Sequence, residues 1–123
     1  MTIHSSAELI EQAAPKTIKG ERIEVLTLKS GQAIALSHSA IALYRNASDI
    51  GDPLGNGLLY TADIPEAYFL KLESAPWVKK VQSGYIGLDG ELALLVLPNE
   101  VKLYRNNHDA LKNIAPLASL PLE

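Results

Sequence analysis

Apolar and polar positions alternate in short runs along most of the chain, and the runs are separated by Gly, Pro, Asn, Asp or Ser. Ile23–Leu28 is rich in branched residues and stops at Ser30-Gly31. Gln32 to Leu36 and Ala40 to Arg45 read as two strands around Ser37-His38-Ser39. Leu58 to Ala62 and Ala67 to Glu73 read as two more, joined by Asp63-Ile64-Pro65-Glu66, and Trp77 to Gln82 and Gly84 to Leu88 follow. Glu91 to Leu97 and Val101 to Tyr104 predict a hairpin across Pro98-Asn99-Glu100.

Helical signals occur only near the ends. Ser5 or Ser6 ahead of AELIEQAA predicts a short capped helix, closed by Pro15 and Gly20. Near the other end, Asn106 or Asn107 is a cap, Asp109 falls in the first turn, and Leu111, Ile114 and Ala115 follow at helical spacing. The pattern predicts one mainly β domain over residues 1–123, a small barrel or roll of about eight short strands with a short helix near each terminus. The final APLASLPLE is apolar, and either packs back on the domain or docks on a neighbouring subunit.

LYRN occurs twice, as Leu43-Tyr44-Arg45-Asn46 and as Leu103-Tyr104-Arg105-Asn106, each with an Asp three residues on. GQAIALSHSAIALYRN and GELALLVLPNEVKLYRN share an order of glycine, strand, polar turn and strand, with the turn reading one residue longer in the second copy. Internal duplication is one explanation and chance the other. Alternation puts Ile41, Leu43, Val101 and Leu103 in the core and leaves both tyrosines half-exposed on the opposite face. Both asparagines then read as turn or cap residues. The rival reading has Tyr44, Arg45, Tyr104 and Arg105, with Trp77, framing a pocket for an anionic or planar ligand, since Arg offers forked donors and Tyr a flat face with a polar tip.

Composition narrows the classes. The absence of cysteine removes disulfides, thiolate nucleophiles and cysteine-ligated metal. Fourteen acids against eleven bases give a charge of −3, and Lys79-Lys80 is the sole adjacent basic pair, so no phosphate-tracking basic face can be built. The first residues lack the basic start of a signal peptide, and no apolar run is long enough for a spanning helix, which together suggest a cytoplasmic protein without membrane or nucleic-acid partners. The histidines His4, His38 and His108 show no ligand spacing, and no nucleophile elbow or phosphate-binding loop occurs. His38 reads as a solvated turn residue. No catalytic residue, metal or cofactor is expected.

The two GxxxxL…LYRN hairpins, in a many-stranded chain without cysteine, resemble small cyanobacterial proteins of uncharacterised function built on a cupin-like barrel. The resemblance spans residues 21–106 and implies a barrel of two related β motifs. A metal-binding cupin carries an HxH pair, a Glu and a later His; the comparable turns here hold Ser37-His38-Ser39 and Pro98-Asn99-Glu100, so no site residue transfers. The expectation from the sequence is a non-catalytic binding or protein-interaction module, homodimeric, with a small-molecule-binding barrel or metal-independent enzyme with a Tyr/Arg-lined pocket as the alternative.

Overall fold

The computed structural model describes residues 9–52, 54–71, 77–81, 85–88 and 92–122. It is mainly β. Ten strands form two five-stranded antiparallel sheets, each a meander in chain order: β1 (Ile10–Ile18), β2 (Glu21–Leu28), β3 (Ala33–Leu36), β4 (Ala40–Tyr44) and β5 (Leu58–Asp63), then β6 (Val78–Val81), β7 (Ile86–Leu88), β8 (Ala93–Leu97), β9 (Glu100–Tyr104) and β10 (Ala118–Pro121). One α-helix, α1 (Asn107–Lys112), joins β9 to β10, and a 3-10 turn, Ala47–Asp49, stands at the corresponding place between β4 and β5. No ladder closes either sheet into a barrel among the described residues. None of the described helices is long and apolar enough to cross a membrane.

The inner faces of the sheets meet in one core. Leu26, Ile34, Leu36, Ile41 and Leu43 from the first sheet pack with Ile86, Leu94, Val96, Val101 and Leu103 from the second. Period-two alternation does the sorting, because each of these residues is flanked by neighbours on the opposite face. Each outer face carries a smaller cluster. On the first sheet it consists of Val25, Ala33, Ala35 and Ile50, with Tyr44 packed against them; on the second it is Ala93, Tyr104 and Ala110, with Tyr85 and Leu95 alongside.

The two sheets correspond residue for residue. Leu26 pairs with Ile34 and Thr27 with Ala33, as Ile86 pairs with Leu94 and Gly87 with Ala93, 60 residues on. Ala33–Tyr44, Ile34–Leu43 and Leu36–Ile41 become Ala93–Tyr104, Leu94–Leu103 and Val96–Val101. The turn bond from Leu28 N to Gln32 O (2.8 Å) recurs from Leu88 N to Leu92 O (2.7 Å). Even the irregularities repeat: a bulge lies between Ile10 and Gln12 opposite β2, and another between Val78 and Lys80 opposite β7. Among the described residues, bulge, turn bond, register and motif thus recur from one sheet to the other.

Several expectations are corrected. Leu9 is helical, but the expected N-terminal helix does not continue beyond it: β1 runs from Ile10 onward, and residues 5–8 lie outside the described residues. β1 is held by the tight turn Lys19-Gly20, whose positive φ values of 52° and 81° match the twist of a two-residue hairpin. Pro15 sits inside this strand instead of ending a helix, opposite Glu24 on the sheet edge, where its missing N–H removes no ladder bond. Ala67 to Leu70 is not a strand; Glu66–Tyr68 forms a 3-10 turn, and Glu73 lies outside the described residues. The polar turns of the two LYRN hairpins have equal length. Gly90, where the second copy begins, lies outside the described residues. Ten strands stand among the described residues where about eight were expected: β1 and β10 take the place of an expected helix and tail, and Ala67 to Leu70 contributes none. That tail packs back: β10 pairs with β9, Leu120 is buried, and Leu122 N donates to Asn99 O at 2.9 Å.

Candidate functional site

Each LYRN ends the fourth strand of its unit and begins the following helical turn. The Leu faces the central core and the Tyr the outer cluster. Tyr44 is half-buried as expected, but Tyr104 is fully buried. The difference lies in the cover: α1 lays Ala110 over Tyr104, whereas its counterpart is a three-residue turn. The Tyr104 hydroxyl donates to Asn113 Oδ1, at the left-handed end of α1. Burial pushes its pKa above the ordinary tyrosine value, with the Lys102 charge partly opposing it.

Both arginines are exposed. Arg105 Nε donates to the buried Asp109 carboxylate at 2.6 Å, and this bond with its charge holds the guanidinium pKa above normal. Asn106 caps α1, its Oδ1 accepting from Asp109 N at 2.8 Å. Asn46 makes no such bond; its extended backbone starts the short turn, and its carbonyl accepts from Asp49 N at 3.1 Å. Arg45 N donates instead to Gly57 O at 2.7 Å, and the Asp49 side chain occupies the space a Cβ would need at Gly57.

Trp77 is fully buried, away from the LYRN turns. Its indole Nε1 donates to Lys71 O at 2.8 Å and its backbone N to Glu24 Oε1 at 3.2 Å. Arg22 lies 4.4 Å above the ring centroid, with its Nε 3.8 Å from Glu24 Oε1. Glu24 is only 2% exposed and was not singled out from the sequence, although alternation in ERIEVL places Arg22, Glu24 and Leu26 on one face. This group clamps the chain between the units to β2. His38 is not simply solvated: its ring meets Phe69 edge-on at 5.7 Å, its Nδ1 is 3.9 Å from Glu21 Oε1, and its carbonyl accepts from Leu70 N. His108 is an exposed residue of α1.

The five candidate residues are thus spread over the two outer faces and the central core, each with a structural environment of its own. Between the sheets, Leu9, Leu28, Val96 and Leu122 border a cleft of only 90 Å³, far below the several hundred usual for a ligand pocket. Larger grooves lie on the outer faces, and they correspond. One, of 260 Å³, is lined by Val25, Thr27 and Ala47 with Gln12 and Lys16; the other, of 370 Å³, is lined by Tyr85, Gly87 and Asn107, the counterparts 60 residues on, with Lys79, Asn106 and Leu92. Sequence reasoning missed both, because their walls come from strand positions whose kinship shows only once the units are superposed.

No family model, characterised protein or solved structure matches the chain.

Proposed function

We propose that the protein is a non-catalytic binding module that acts through protein contact, with a second copy of itself as the first partner. The observation that carries this reading is an exposed apolar row on one edge of the first sheet. Leu58 and Tyr60 are 43% and 38% exposed on alternate positions of β5, and Leu54, in the loop just before it, is 84% exposed. Large aliphatic and aromatic side chains gathered along one sheet edge are what self-complementary interfaces bury, whereas scattered single ones need no explanation. The interior supports the same reading, since Trp77 and the core leucines fill the space where a barrel would hold a ligand. What favours a cupin-like relationship within this proposal is the tandem of two related β motifs.

The test is the native mass of the full chain by sedimentation, beside a variant carrying Leu58→Lys and Tyr60→Lys. A dimer that becomes a folded monomer in the variant is expected. A wild-type chain that stays monomeric at high micromolar concentration would contradict the proposal.

A further inference from the structure

The geometry points to a binding site for a small aliphatic carboxylate in the outer groove of the second unit. This site is separate from the β5 surface and does not depend on it. Both units build a groove at this place, but the second has been rebuilt. Where the first groove has Val25 and Ala47, the second has Tyr85 and Asn107, and where the first has Thr27 the second has Gly87, with no side chain to fill the floor. The second groove is the roomier, at 370 Å³, within the range of small-ligand sites.

Two of the replacements, Tyr85 and Asn107, add hydrogen-bond donors, while Gly87 opens space. Asn107 Nδ2 donates to the Tyr85 hydroxyl at 3.1 Å, so the phenol oxygen has taken one bond as acceptor and its own hydrogen is available to donate. The second Asn107 N–H lies beside it. Lys79 is the bulge residue opposite β7, where a bulge re-aims a side chain that regular pairing would place elsewhere, and it lines the same groove. Asn106 does not compete, because its Oδ1 is occupied by Asp109 N. A phenol, an amide and an ammonium give donors to an oxyanion, and charge-assisted bonds of this kind are the strong ones. Leu88 and Leu92, core residues only 4% and 3% exposed, give the apolar part of the lining at the groove's inner end. A carboxylate head with a short aliphatic tail matches both parts, which inorganic phosphate does not.

The experiment is a titration of the ¹⁵N-labelled full chain with sodium isovalerate at constant ionic strength, with sodium chloride and inorganic phosphate as parallel arms. Saturable amide shifts are expected at Tyr85, Gly87 and Asn107 and not at Val25, Thr27 and Ala47. Asn107→Ala and Tyr85→Phe should each weaken binding by about tenfold, the usual effect of losing one hydrogen bond to a charged group. Gly87→Thr, which installs the residue the first unit already accommodates there, should abolish saturation. Shifts that rise linearly, that occur equally in both grooves, or that sodium chloride reproduces would overturn the site. Phosphate binding as tightly as isovalerate would overturn the aliphatic part. Folding of each variant is checked by its melting curve, and the comparison of the two grooves in the wild-type chain decides the question if a variant fails to fold.

Discussion

Two asparagines with identical neighbours do different jobs. Asn106 receives the Asp109 N–H through its side chain, whereas Asn46 leads into a three-residue turn and makes no side-chain cap. Asn106→Ala should therefore lower stability by about 1 kcal/mol, and Asn46→Ala by only a few tenths, measured by urea unfolding. Tyr104 supplies a second contrast. Its burial raises the folded-state pKa, so the folded protein holds the phenolic proton more tightly than the unfolded chain does. The resulting stability is present below the unfolded value of about 10 and is lost as pH rises through the folded value. Lys102, raised chiefly by its bond to Glu100 at 2.7 Å, acts in the same direction. Tyr104→Phe should flatten the loss of stability above pH 10, at a cost near neutrality of about 1 kcal/mol for the bond to Asn113. An unchanged alkaline profile in that variant would show that the hydroxyl is not the group responsible.

Among the elements, β1 is the most exposed: nine residues at the edge of the first sheet, with most side chains solvated on both faces. A bare edge of that length invites pairing with another chain. Pro15 interrupts it. Opposite Glu24 its nitrogen must face away from β2, so the outward row of donors lacks one at its middle, and Lys16 and Lys19 add charge beside it. Pro15→Thr should leave the β1–β2 ladder intact and restore the missing donor, raising self-association through this edge in concentration-dependent light scattering. The same residue explains why the sequence misled here. Pro15 and Gly20 looked like a helix stop, and Ala13-Ala14 like helix interior, because local propensity carries no record of which strand lies alongside. Where both faces are decided by burial, as in β2 to β4 and β8 to β9, alternation located the strands well. It failed at β1, which buries little, and at Ala67 to Leu70, where buried Leu70 sits in irregular chain.

On the scale of the whole molecule, the repeated tetrapeptide was the visible tip of a much longer correspondence. Besides Leu, Tyr, Arg, Asn and the following Asp, few positions coincide there by letter, among them Leu28 with Leu88 and Ala33 with Ala93; the rest is carried by hydrophobic type and by hydrogen-bond register, which survive substitution of Ile for Leu or Val for Ile. The outer grooves were illegible for the same reason, since what they share is position and not residue type. Trp77 and Glu24 became interpretable only when the fold brought β2 to the segment between the units, 53 positions away in sequence. The candidate arginines show the converse: the motif that drew attention to them reflects where strands end.

The units differ most in their opening hairpins, with 18 positions from Ile10 to Leu28 against 10 from Val78 to Leu88. Eight added residues divide equally between two antiparallel arms, and a step of four leaves every side chain pointing to the side it already faced. The scaffold has thus accepted lengthening at this tip without disturbing what lies beneath it. Foreign sequence inserted at Lys19-Gly20 in the same even increments would extend a ribbon into solvent and spare the interior.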